Sequence, residues 1–282
     1  MTLKEANEYG QEQLKKAEID DATLDAWYLL EYATGISRAK YFMDMNNVLS
    51  DEQEKQYCGY IAIRAKHTPL QHITGVQEFM GLEFDVNEHV LVPRQDTEVL
   101  VESVLGVLQP GMEVLDMCTG SGCILISLLK LCRFEDISGV GVDISEEALK
   151  VAMQNAEKLG VNVRFWQSDL FAEVDESYDV IVSNPPYIRT AVIEELKEEV
   201  KFHDPFLALD GREDGLYFYR RIIEESPNYL KKNGTLYFEI GHDQGEDVSK
   251  LMRDAGFTCV TVKKDLAGLD RVVFGVYSVI RN

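Results

Sequence analysis

The four residues Asn184-Pro185-Pro186-Tyr187 are the part of this sequence whose types and order best suit a chemical task. Each proline fixes its own φ and biases the residue before it to extended backbone, so Asn184 and Pro185 form a rigid shelf. Neither proline carries an N–H. The shelf is therefore rich in acceptors, chiefly the Asn184 side chain and the Pro185 carbonyl. It suits an –NH₂ group. An amide or aryl amine nitrogen is planar because its lone pair is delocalised, which makes it a poor nucleophile. Two acceptors on its two N–H bonds favour a pyramidal nitrogen with the lone pair aimed at an electrophile. Tyr187 can stack on the flat group and exclude water. Catalysis of this kind is mainly positioning, and the proton can leave after transfer, so no strong base is demanded. An ordinary turn at a strand end is the alternative.

A site for the electrophile is written upstream. Residues 113–122 read Glu-Val-Leu-Asp-Met-Cys-Thr-Gly-Ser-Gly, a strand entering a glycine-rich turn, with a helix expected over 124–131. Gly120 and Gly122 let the backbone turn tightly and come close to a ligand. The helix N-terminus offers N–H groups to a carboxylate or phosphate. Leu125 stands where a dinucleotide fingerprint would have its third glycine, and no Walker lysine follows. The next strand ends at Asp143, 21 residues after Gly122, where a carboxylate can accept from ribose hydroxyls. After a further strand comes Ser168-Asp169-Leu170. Asp169 suits an adenine amino group and Leu170 the face of the ring, with a merely solvated Asp169 as the alternative. Carboxylate, ribose and adenine in that order fit S-adenosylmethionine better than a dinucleotide or a triphosphate.

To hold these residues, strands are expected near 114–117, 137–142, 161–166, 178–182, 235–240, 258–262 and 272–277. Helical stretches separate most of them, the pattern of a mostly parallel sheet wrapped by helices. The last two strands are too closely spaced for a helical crossover and should form an antiparallel pair. The first 72 residues differ. Leu3, Ala6, Leu14 and Ala17, then Leu24, Trp27, Tyr28, Leu30 and Tyr32, recur at helical spacing, and Ser50 with Gln53 marks a helix start. Residues 1–72 are thus expected to be a small helical bundle. Residues 73–92 alternate as a β-hairpin turning at Gly81, and 93–282 form the α/β domain, opening with an amphipathic helix from Thr97 to about Leu108.

The formal net charge of −21 and the absence of a basic run disfavour broad binding to nucleic acid. Five cysteines without a C-x-x-C pair fit buried thiols in a reducing cytoplasm better than a disulfide framework or a zinc site, and no metal is expected. The N-terminus has no apolar signal segment and no run is long enough to span a membrane, so a cytoplasmic protein is expected.

Nearly the whole chain resembles the bacterial peptide chain release factor N5-glutamine methyltransferases, the HemK or PrmC family. The likeness runs through Pro69-Leu-Gln-His-Ile-Thr-Gly75, Val92-Pro-Arg-Gln-Asp-Thr-Glu98, Leu115-Asp-Met-Cys-Thr-Gly-Ser-Gly-Cys123, Ser168-Asp-Leu-Phe171, Val182-Ser-Asn-Pro-Pro-Tyr-Ile188, Asp214-Gly-Leu-Tyr-Phe-Tyr219 and Ala267-Gly-Leu-Asp-Arg271. It implies a Rossmann-like class I methyltransferase fold with seven strands and an antiparallel last strand. It implies that Thr119, Gly120, Ser121, Gly122, Cys123, Asp143, Asp169 or Leu170, and Asn184 contact S-adenosyl-L-methionine. Asn184, Pro185, Pro186 and Tyr187 would hold a glutamine side-chain amide, which in the family lies in the Gly-Gly-Gln loop of class I release factors acting in translation termination. The N-terminal helices would dock that protein substrate. Sibling readings are a ribosomal-protein glutamine methyltransferase and a nucleic-acid amino-methyltransferase, since the tetrad alone occurs in the latter. The chain departs from the family pattern at Gln95, usually Pro, at Asp204, usually Glu, and at Arg212, often Gly.

Some residues have two readings. Arg94, Asp96, Thr97 and Glu98 suit either closure over the cofactor or amide, or a helix N-cap with Asp96 or Thr97 capping. Glu239 ends a strand near the site, where it can act or simply hold structure. Phe79 suits the cleft or the core.

Overall fold

In the computed structural model, which describes residues 1–278, nine strands are β1 (Val76–Phe79), β2 (Leu82–Asp85), β3 (Glu113–Met117), β4 (Ser138–Asp143), β5 (Arg164–Gln167), β6 (Tyr178–Ser183), β7 (Leu230–Glu239), β8 (Thr258–Lys264) and β9 (Asp270–Tyr277). The chain divides into two units. One is Met1–Val76 with Lys197–His203; the other is Gln77–Leu196 with the residues from Asp204 onward.

The first unit is helical. Leu3–Lys16 starts with a capping box from Thr2 and Glu5, and Asp51–Arg64 with the one expected from Ser50 and Gln53. Leu3, Ala6, Leu14, Trp27, Leu30, Tyr57 and Ile61 share its core. Gly10 is required here, because a Cβ would lie 1.9 Å from the Tyr57 hydroxyl oxygen. Leu24, Tyr28 and Tyr32, periodic in the sequence, are not core: they form an exposed stripe along Ala22–Thr34. Buried Arg64 donates to Asp25 at 2.7 Å and to Glu199, which brings the Lys197–His203 segment into this unit.

The second unit carries a seven-stranded sheet in the order β5-β4-β3-β6-β7-β9-β8. β3 to β7 run parallel, while β9 is antiparallel to both β7 and β8. The expected α/β class and its antiparallel last strand are therefore found. Val114, Leu125, Leu128, Val180 and Val182 lie in the core on one side of the sheet, and Leu115, Val142, Ile181, Ile222 and Phe238 on the other. Strand order reverses between β3 and β6, and in open parallel sheets the crevice at the carboxyl ends beside such a switch is where ligands bind.

One strand start differs from the expectation, and the expected hairpin turn at Gly81 is found. β5 begins at Arg164 rather than Val161, since the Val161 N–H is used to close the preceding helix on the Ala156 carbonyl after left-handed Gly160. The hairpin β1–β2 turns at Met80-Gly81, both with φ > 0, and the Met80 N–H donates to Glu98 at 2.7 Å.

Candidate active site

A cavity of about 300 Å³ lies at the carboxyl ends of β3, β4, β5 and β6. That is the lower end of the range for small-molecule sites, roughly 300–1,000 Å³. Its wall holds Thr119, Gly120, Ser121, Cys123, Asp143, Asp169, Leu170, Asn184 and Pro186. So the residues expected to bind a carboxylate, a ribose and an adenine share one wall with half of the tetrad.

The glycine-rich turn is tied to the next strand. The Gly120 N–H donates to Asp143 Oδ2 and the Ser145 N–H to Oδ1, both at 2.9 Å. Each oxygen keeps a second lone pair for a ligand hydroxyl. Burial pushes the Asp143 carboxyl up, and these backbone donors partly oppose it. Gly120, at φ +55, has no atom within 4 Å of where a Cβ would stand, so its face is open to a ligand. Gly122 does another job. It does not line the cavity, and its missing Cβ makes room for Ile126, Ala152 and Phe165. Beneath the turn, Thr119 donates to buried Asp116 at 2.6 Å; burial still pushes the Asp116 carboxyl up to about 7. Burial likewise raises the Cys123 thiol to about 12, and that of Cys118 further, so both stay protonated at neutral pH.

Three cavity residues hold backbone that L side chains seldom adopt: Cys118 at φ +61, Leu170 at φ +51 and Arg212 at φ +70. Such conformations cost of order 1–3 kcal/mol each and persist where surroundings impose them. Asp169 accepts from Arg221 at 2.9 Å, leaving its other oxygen for a ligand. Arg212, at φ +70, occupies a conformation that favours glycine, which accounts for the glycine often found there; its guanidinium returns to Asp210 at 2.9 Å.

The tetrad follows β6. Ser183 donates to the Met117 carbonyl at 2.7 Å and locks the strand end against β3. Residues 209–215 wrap the tetrad: the Ile188 N–H donates to Leu209, and the Gly211 N–H to Ile188. Both glycines of this loop are needed. A Cβ on Gly211 would lie 2.7 Å from Tyr187 backbone, and one on Gly215 2.5 Å from the Tyr187 carbonyl oxygen. Buried Gln244 donates to the Tyr187 carbonyl at 3.1 Å and the Gly215 carbonyl at 3.2 Å. Pro185 and Tyr187 are not on the cavity wall. Tyr187 packs beside the core.

The doubly read residues resolve as follows. Neither Asp96 nor Thr97 caps the helix Glu98–Leu105 through its side chain. Asp96 pairs with Arg271 at 3.1 Å, Thr97 is buried, and Glu98 braces the hairpin turn. Arg94 and Thr97 line the cavity, and Arg94 pairs with buried Asp204 at 2.7 Å. Phe79 is core, edge-on to Phe84 at 6.1 Å. Sequence reasoning missed Gln244 and Asn155. The Asn155 carboxamide bonds to Asp85 backbone and to the Ser121 carbonyl, stapling the hairpin to the glycine-rich turn. Among the described residues no three His, Cys, Asp or Glu side chains form a metal group, and no helix is long and apolar enough to cross a membrane.

Comparison with known proteins now bears on this geometry. The PrmC N-terminal domain family matches residues 5–75 and the methyltransferase domain family residues 108–267. A release factor glutamine methyltransferase from Geobacter sulfurreducens is 40% identical over 97% of this chain and 96% of its own length. One from Caulobacter vibrioides is 41% identical over 98% and 96%. A methyltransferase structure from Pyrococcus furiosus, 17% identical over 71% of this chain and 91% of its own, superposes with a TM-score of 0.53 and shows the shared fold. On its cavity, its tetrad and these near full-length matches, the chain belongs to the release factor glutamine methyltransferase family.

Proposed function

We propose that this enzyme transfers a methyl group from S-adenosylmethionine to the side-chain amide nitrogen of the glutamine in the Gly-Gly-Gln motif of class I peptide chain release factors, in the cytoplasm. The observation that carries this is the sharing of one cavity wall by Asp143, the glycine-rich turn and Asn184, in a chain so close to the named relatives. When bound, S-adenosylmethionine supplies an electrophilic methyl on sulfonium. The residues present fit it. Gly120 and Ser121 offer an open turn to its carboxylate, the free lone pairs of Asp143 take ribose hydroxyls, and Asp169 with Leu170 takes adenine.

Asn184 and the Pro185 carbonyl hold the two amide N–H bonds of the glutamine and aim its lone pair into the cavity, while Pro186 closes that wall. Rate comes from this alignment, worth orders of magnitude when reacting atoms are held near contact. The exposed stripe Leu24, Tyr28 and Tyr32 on the helical unit supplies apolar surface for the protein substrate. Mass spectrometry of release factors from a strain lacking this protein tests the reading. The glutamine should lose its methyl mass and regain it on complementation; a methyl that persists in the deletion strain refutes it.

A further inference from the structure

The helix Tyr217–Glu225 buries Tyr219, Ile222 and Ile223 in the core, and the Tyr219 hydroxyl donates to the Glu239 carbonyl at 2.9 Å. Near its start, Arg220 grips Asp214 through two bonds of 2.7 and 3.0 Å. The helix is thereby fixed in place, and residues four apart on it share a face. Tyr217 and Arg221 are such a pair, and both line the cavity. Arg221 Nη1 donates to Asp169 Oδ1 at 2.9 Å. Its guanidinium also lies 5.8 Å from the centre of the Tyr217 ring, and that of Arg212 lies 5.9 Å from the same ring. Both distances are within cation–π range. Arg221 is thus held by a carboxylate and a ring at once. Its pair with Asp169 has side chains 30% and 53% exposed, and ion pairs this open add little to stability. The geometric consequence is larger. A carboxylate only accepts, and an exposed one turns freely. With Oδ1 committed to Arg221, the carboxylate of Asp169 keeps one attitude, and Oδ2 is left as the acceptor for a ligand.

We propose that Arg221 is a positioning residue for cofactor recognition: by fixing one oxygen of Asp169 it presents the other to the adenine amino group, and so makes the site selective for a 6-amino purine over a 6-oxo purine. This rests on the reading of Asp169 as the adenine contact. An amino group in that place donates to Oδ2. An oxo group in the same place sets an acceptor against a carboxylate that can only accept, so neither is satisfied. Without Arg221, Asp169 can turn away from the oxo group, and the selectivity goes with it.

The test titrates full-length wild type, Arg221→Ala, Arg221→Lys and Asp169→Asn by calorimetry, with S-adenosylhomocysteine and separately with S-inosylhomocysteine, its 6-oxo counterpart. Melting curves first establish that each variant is folded; should Arg221→Ala fail to fold, Arg221→Gln carries the same comparison. Wild type should bind the adenosyl compound about ten- to a hundredfold more tightly than the inosyl one, the size of one charge-assisted hydrogen bond. In Arg221→Ala that ratio should fall to about threefold or less, because the adenosyl compound loses affinity and the inosyl compound does not. Arg221→Lys keeps a cation for Asp169 without the planar fork and should recover part of the ratio. A wild-type ratio in Arg221→Ala would overturn the proposal. So would equal weakening of both compounds, the mark of a merely structural role, or a wild type that does not discriminate. Asp169→Asn keeps the two readings apart, since its amide can accept from an amino group or donate to an oxo group and should bring the ratio toward one. An unchanged ratio there breaks the adenine reading of Asp169. A collapsed ratio there beside a wild-type ratio in Arg221→Ala breaks only this inference.

Discussion

The two halves of the site are built in opposite ways. On the β4–β5 side, the walls are backbone and short-range side chains: Gly120 open to the cavity, Asp143 held by two N–H groups, Leu170 in a left-handed conformation. On the β6–β7 side, the tetrad gives the cavity wall Asn184 and Pro186, and Gln244 and Gly215, which steady it, are buried and distant in sequence. Gln244 reaches back 57 residues to Tyr187, and Gly215 touches the same carbonyl. The difference teaches that the cofactor half can tolerate local change with graded loss of affinity. The tetrad half should lose rate or stability through residues that touch no ligand.

Substitutions should separate these halves in descending order of effect. Asn184→Ala removes a group aimed at the reacting nitrogen and should lower kcat about 10²- to 10³-fold, the scale for deleting one preorganised polar contact, with much of the cofactor affinity kept in calorimetry. Asp143→Ala should weaken S-adenosylmethionine binding by about ten- to a hundredfold, since it removes charge-assisted hydrogen bonds worth about 1.5–3 kcal/mol. Its effect on kcat at saturating cofactor should be smaller. Gly215→Ala forces φ +75 on an alanine and a Cβ against the Tyr187 carbonyl. Denaturant unfolding should show a loss of at least about 2 kcal/mol.

The smallest predicted effect is a pH-dependent difference in stability. Glu239 is raised to about 7 when folded, against about 4.3 for an unfolded glutamate. Between those values the unfolded chain has lost the proton and the folded chain has kept it, so stability falls as pH rises from about 4.3 to about 7 and is level outside that window. The difference in melting temperature between Glu239→Gln and wild type should grow in favour of the variant across that window. A difference that is constant with pH would show that the folded carboxyl titrates normally.

Much of the cofactor half was legible because its signals are local. A glycine-rich turn after a strand, an acid at the end of the next strand, and a tetrad with two prolines each carry their geometry within a few residues. The strand alternation gave the sheet for the same reason. Gln244 and Asn155 are single amides with no periodicity around them, and only the closed fold shows which carbonyls they satisfy. Gly211 and Gly215 were visible as glycines, but not as the space that Tyr187 backbone needs. The helical stripe Leu24, Tyr28 and Tyr32 misled because periodicity marks a face without saying whether that face is covered. Gly122 misled in a similar way, since a turn glycine can serve ligand approach or side-chain packing.

The central claim is that the tetrad presents a release factor glutamine to the methyl donor. The most direct measurement incubates the protein with labelled S-adenosylmethionine and a class I release factor, beside the same factor with its Gly-Gly-Gln glutamine replaced. The account predicts label in the first and none above background in the second. Equal labelling of both would contradict it.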